Sequence, residues 1–138
     1  LVGGEIAHEA WQKAEDARNA ALHRTRADYA DVLGRAVHCV MDRPLGSRHP
    51  RYPDMLYPVN YGCVPGVMAG DGAEQDVYVL GPTAPLETFD GVVIAVIHRF
   101  DDCEDKWVVA APGARYTADE IRAAVAFQEK YYRSEILL

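Results

Sequence analysis

The chain has 138 residues, enough for one domain with a single core. Its formal charge of -7 argues against general nucleic-acid binding, which needs a basic face. Its three cysteines, Cys39, Cys63 and Cys103, are too scattered to form a disulfide framework or a zinc site.

Glu5 to about Leu33 reads as one helix, rich in Ala, Glu, Arg and Gln and free of proline and internal glycine. Its thin stripe of Ile6, Ala10, Ala14, Ala17 and Ala21 leaves two readings open: a helix that packs on a partner surface or on another copy of itself, or a semi-independent tail. Gly34 is the expected stop. Arg35–Met41 reads as a strand, and Asp42–Asp54 as a loop rich in proline and arginine. Tyr57 to Asp76 is a turn-rich run that ends in acidic side chains, directly before the short apolar strand Asp76–Leu80. Gly81–Asp90 connects to Gly91–Ile97, apolar on both faces and therefore expected at the centre of the sheet. Asp101–Asp105 is an acidic turn, and Lys106–Ala111 is the next strand. Thr117 and Glu120 form a capping box that opens a helix from Ala118 to about Ser134, with Ile121, Val125 and Gln128 or Glu129 on its apolar face. Short strands followed by one helix imply a mainly β, α+β fold: a small closed or nearly closed β-barrel with helices outside it.

Carboxylates on a glycine-containing loop beside a rigid strand suit hard divalent cations, magnesium above all, and so point to phosphate chemistry. Taken singly, such aspartates are more often turn formers. No apolar run reaches the roughly 20 residues that span a bilayer, and none reads as a secretory signal. Reduced cysteines suit a cytoplasmic setting. The first residue is Leu1 rather than Met, so the native start is expected upstream.

Three blocks carry a family resemblance: Tyr57-Pro-Val-Asn-Tyr-Gly62, then Asp71-Gly-Ala-Glu-Gln-Asp76-Val, then Asp101-Asp-Cys-Glu-Asp105-Lys-Trp-Val-Val-Ala110. Together, in this order, they resemble the family I soluble inorganic pyrophosphatases over roughly residues 34–133. The resemblance implies a division into an N-terminal helical extension (1–33) and a pyrophosphatase-like, OB-like barrel domain (34–138). It also implies magnesium, with manganese as a substitute, a pyrophosphate substrate and a homo-oligomer. Asp71, Asp76 and Asp105 match the carboxylates of the first metal, Asp102 and Asp42 match further acidic positions, and Asp101 rivals Asp102. Tyr61, Arg48, Tyr132 and Arg133 match groups that hold phosphate oxygens, with Arg43 and Arg51 as substitutes for Arg48.

Two departures from the pattern stand out. Ala73 occupies the position of a carboxylate that helps deprotonate the attacking water, which leaves Glu74 beside it as the expected base. Lys106 directly follows Asp105, where the family has Asp-x-Lys, so a regular strand points the two apart and turns Trp107 toward the site; a bulge would bring Lys106 back. Two further readings follow from these departures: the same scaffold acting on an organic diphosphate or another phosphorylated metabolite, or a non-catalytic phosphate-binding module.

Overall fold

The structure, a computed structural model, describes residues 7–15, 22–102 and 104–138. Residues 7–15 are helical (α1). Strands β1 (Ala36–Arg43), β2 (Asn60–Met68), β3 (Glu74–Val79), β4 (Thr88–Arg99) and β5 (Asp105–Ala110) follow, then helix α2 (Ala118–Glu129) and strand β6 (Ser134–Leu137). The sheet order is β1-β2-β3-β5-β4-β6, and an extra pairing of β1 with β4 closes the first five strands into a barrel. The long strand β4 serves three neighbours: β1 at Thr88–Val92, β6 at Val96–Arg99, and β5 along most of its length. Among the described strands, only β3 and β5 pair in parallel.

Alternation along the strands divides the apolar side chains into two layers. Val77, Val79, Trp107 and Val109 fill the barrel with Val37, Cys39 and Met41. Tyr78, Leu80 and Val108 face outward and are covered by Ile121 and Val125 of α2. A register shift between Val93 and Ala95 changes the phase of β4, so that Val93 and Val96 point inward while Ala95 and Ile97 meet α2. The expected capping box is present: Glu120 N–H donates to the Thr117 hydroxyl at 3.1 Å, and Thr117 N–H donates to the Glu120 carboxylate at 2.9 Å.

Three expectations change. The single helix to Leu33 does not hold. Parts of it, residues 5–6 and 16–21, lie outside the described residues, residues 23–25 are irregular, and Arg26–Tyr29 is a 3-10 turn. The Leu22 carbonyl, which a continuing helix would use, instead accepts from His98 at 2.8 Å, and the Arg24 N–H donates to Glu135 at 2.6 Å. Tyr29 then packs in the barrel core. The second change is β2, read from sequence as turns. Pairing with β1 and β3 on its two sides sustains it, and its Pro65 and Gly66 fall in the irregular stretch between Val64 and Met68. Gly62 is needed there because a Cβ would lie 2.0 Å from the Val40 carbonyl oxygen. The third change is the C-terminal helix, which stops at Glu129; Ser134–Leu137 instead pairs with β4.

Candidate functional site

Asn60, fully buried, fixes the framework around the barrel mouth. Its side-chain oxygen accepts from Leu45 N–H at 2.9 Å and Leu86 N–H at 3.0 Å, and its amide donates to the Ala84 carbonyl at 3.0 Å. One side chain thus ties two loops to the start of β2. Next to that mouth, between the loop after β1 and the last turn of α2, lies a cleft of about 960 Å³. Strands deliver Arg43, Tyr61, Asp76, Arg99 and Lys106 to it, and Glu104 joins them from just before β5. His49, Tyr52 and Leu56 come from the loop after β1, while Lys130, Tyr131 and Tyr132 follow α2.

Lys106 is the centre of this cleft. It is 4% exposed, and its ammonium donates to Asp76 Oδ2 at 2.5 Å and to Glu104 Oε1 at 2.8 Å. Burial alone would lower its pKa, but Tyr61, Asp76 and Glu104 more than offset burial and hold it above the ordinary lysine value. It therefore stays cationic at neutral pH. Burial pushes the neighbouring Tyr61 phenol up to about 12, so Tyr61 stays a hydrogen-bond donor. Arg99 is also buried, and its Cζ lies 3.7 Å from the centre of the Tyr132 ring.

Of the residues expected from sequence, Asp76, Tyr61, Lys106 and Tyr132 meet in the cleft, together with Arg43, the expected substitute for Arg48. Asp105 does not line it. It alternates with Lys106 and points the other way, accepting from Tyr29 at 2.9 Å and pairing with His98 at 2.6 Å. Trp107 shares that side and is buried in the barrel interior, so the expectation that it faces the site is wrong. Glu104 takes the cleft position because it stands two residues before Lys106, on the same side of the strand.

The other expected residues do not line the cleft. Asp102 accepts from Arg99 Nη1 at 3.3 Å. Asp42, at the end of β1, has its carboxyl raised by burial and then by the nearby Asp76 and Glu74, with Arg43 opposing. The Cys63 thiol is raised by burial and by the same three carboxylates. Asp71 sits in the exposed turn between β2 and β3 and accepts from the Ala73 N–H at 3.0 Å, while Glu74 accepts from the Gly66 N–H at 2.7 Å. Arg48 is turned to the Pro53 carbonyl at 2.8 Å and does not line the cleft. Arg133 pairs with Asp101 at 3.2 Å. Among the described residues, no group of three acidic, histidine or cysteine side chains is drawn together tightly enough to grip an ion as it stands. Sequence reasoning missed Arg99, Glu104 and Lys130. Only Glu104 carried a signal, its spacing from Lys106.

Comparison with known proteins follows the same line. A family model described as inorganic pyrophosphatase matches residues 5–134. The inorganic pyrophosphatase of Aeropyrum pernix is 40% identical over 67 residues, which are 46% of this chain and 38% of that protein, so the matched part spans well under half of the relative's length. In fold, the chain is similar to the inorganic pyrophosphatase of Ehrlichia chaffeensis, with a TM-score of 0.58 at 16% identity, covering 76% of this chain and 86% of that one. The inorganic pyrophosphatase of Neisseria gonorrhoeae gives a TM-score of 0.54 at 23% identity, covering 71% and 74%. With a closed barrel, an outer helix and a family match over nearly its whole length, the chain belongs to the inorganic pyrophosphatase family.

Proposed function

We propose that the protein hydrolyses inorganic pyrophosphate to two phosphates in this cleft, with magnesium as its metal and manganese as a substitute. One observation carries the reading: four cations, Arg43, Arg99, Lys106 and Lys130, line the same space as Tyr61 and the carboxylates Asp76 and Glu104. Pyrophosphate is a dense anion, and arginine forks and a buried ammonium match its oxygens.

Magnesium takes hard oxygen donors. Asp42, Glu74 and Asp76 offer that chemistry; burial first, and then the nearby Asp76 and Glu74, raise the Asp42 carboxyl, and a cation would relieve the like-charge part. These three, with Asp71 in the turn and Asp102 and Glu104 across the cleft, are the residues that would hold metal; Glu104 takes the place expected of Asp105. When bound, the ion neutralises phosphate charge and makes water more acidic. Lys106, Arg43, Arg99, Tyr61 and Tyr132 hold and orient the phosphate oxygens. Glu74 is the proton acceptor nearest in sequence to Ala73, which can accept none. A cytoplasmic homo-oligomer belongs to the same reading; no helix among the described residues is long and apolar enough to cross a membrane.

A second reading, a diphosphate that carries an organic group, rests on Tyr52, Leu56 and Tyr131. They line the cleft and are 55%, 49% and 65% exposed. Trp107, buried in the barrel, lends it nothing. Phosphate release from pyrophosphate by the purified protein tests the first reading. Absence of release with both magnesium and manganese rejects it, and faster turnover of a nucleoside diphosphate favours the second.

A further inference from the structure

Beneath the cleft runs a buried relay of hydrogen bonds that joins two of its arginines. Arg43 Nη1 donates to the Tyr57 hydroxyl, which donates to Gln128 Oε1 at 2.8 Å. Gln128 Nε2 donates to the Tyr78 hydroxyl at 2.7 Å, and that hydroxyl donates to Glu129 Oε2 at 2.6 Å. From the other end, Arg99 grips Glu129 with two prongs, Nε to Oε1 at 2.9 Å and Nη2 to Oε2 at 2.5 Å. Tyr57 and Tyr78 are fully buried, and Arg99, Gln128 and Glu129 nearly so.

The directions of these bonds are mutually enforcing. The Tyr78 hydroxyl has one proton. Spending it on the Glu129 carboxylate obliges Gln128 to present its amide nitrogen to Tyr78 and its oxygen to Tyr57. Burial, reinforced by Glu129, holds the Tyr78 phenol well above its ordinary value, so it remains the donor. A buried carboxylate is costly unless fully paired, and an apolar residue at position 129 would cover β3 at no such cost. What the charge adds is orientation. Glu129 occupies the Nε–Nη2 edge of the Arg99 guanidinium and Tyr132 covers its face, which leaves Nη1 directed at Asp102 and Glu104. Those contacts are long, 3.3 and 3.4 Å, and are open to replacement by a stronger anionic partner.

We propose that Glu129 is a positioning residue that presents Arg99 to a phosphoryl oxygen of a diphosphate, and that Tyr78 and Gln128 tie this placement to Arg43 at the other end of the relay. The inference rests on the diphosphate reading of the cleft. It gives the last turn of α2 a role in substrate binding beyond covering the barrel.

The test compares the wild type with Glu129→Gln, Arg99→Lys and the double variant, measuring kcat and KM for pyrophosphate and calorimetric binding of imidodiphosphate, with circular dichroism as the check on folding. Glu129→Gln should raise KM and weaken imidodiphosphate roughly ten-fold, with a smaller change in kcat. The double variant should be no weaker than Arg99→Lys alone, because both changes remove one interaction. If Glu129→Gln does not fold, Tyr78→Phe, which removes only the hydroxyl, should move KM in the same direction by a few-fold. Wild-type KM and imidodiphosphate affinity in folded Glu129→Gln, or additive losses in the double variant, overturn the proposal while leaving pyrophosphate hydrolysis standing. Imidodiphosphate binding that depends on Arg99 and Glu129, without turnover of pyrophosphate by the wild type, would support the positioning role and reject the hydrolytic reading.

Discussion

Lys106 Nζ lies 2.5 Å from Asp76 Oδ2, bridging the parallel join of β3 and β5. The ammonium is nearly buried, whereas the carboxylate side chain is 29% exposed and open to the cleft. Lys106→Met should therefore act on catalysis more than on folding. It removes a fixed cation from a site of developing negative charge, and kcat for pyrophosphate should fall about 10²-fold or more. Steady-state kinetics with magnesium present checks this, and a loss below three-fold would place Lys106 outside the chemistry.

Glu104 and Asp105 are neighbours with opposite surroundings, so their amide variants should separate function from stability. Glu104→Gln removes a carboxylate from the cleft, and its activity should drop by roughly 10²-fold at near-unchanged melting temperature. Asp105→Asn weakens the contacts with Tyr29 and His98 and should lower stability by roughly 1–3 kcal/mol with a smaller effect on kcat. Parallel denaturation and phosphate-release measurements on the two variants decide which carboxylate serves the cleft.

Asn60→Ala should be among the more damaging single changes outside the cleft. It strands the Leu45 and Leu86 N–H groups and the Ala84 carbonyl around a fully buried side chain. Each unsatisfied buried group costs about 1–3 kcal/mol, partly recovered by water, so a loss of roughly 2–4 kcal/mol is expected. Urea unfolding at constant m-value measures it.

Much of the site was legible because strand alternation is rigid. Lys106 and Asp105 do point to opposite faces, as their adjacency requires. The residue that shares a face with Lys106 is Glu104 rather than Asp105, and the acid-x-Lys spacing of Glu104-x-Lys106 carries that in the sequence. The barrel followed from its apolar strands, yet β2 was hidden by glycine and proline that only two flanking strands could override. The first helix was misread because Leu22, Arg24 and Tyr29 find partners in β4, β5 and β6, more than seventy residues away. Arg99 gave no signal, since its carboxylate partner Glu129 lies thirty residues further along the chain.

Alkaline pH should destabilise the fold through buried phenols. Below pH 10 the Tyr61 phenol is neutral in both folded and unfolded chains. Above it, the unfolded chain releases its proton first, while the folded chain holds it to about 12. The contribution is thus intact below pH 10 and is lost as pH rises toward 12, reaching roughly 2–3 kcal/mol. Melting temperature followed above pH 10 should fall less steeply in Tyr61→Phe than in the wild type; equal slopes would contradict the assignment.

The most direct test is the initial rate of phosphate release from pyrophosphate, with and without magnesium, by the wild type and by Asp76→Asn. Magnesium-dependent release by the wild type, reduced at least 10²-fold in a folded Asp76→Asn protein, is the predicted result. No release by the wild type with either magnesium or manganese, or equal release by Asp76→Asn, would contradict the assignment of pyrophosphate hydrolysis to this cleft.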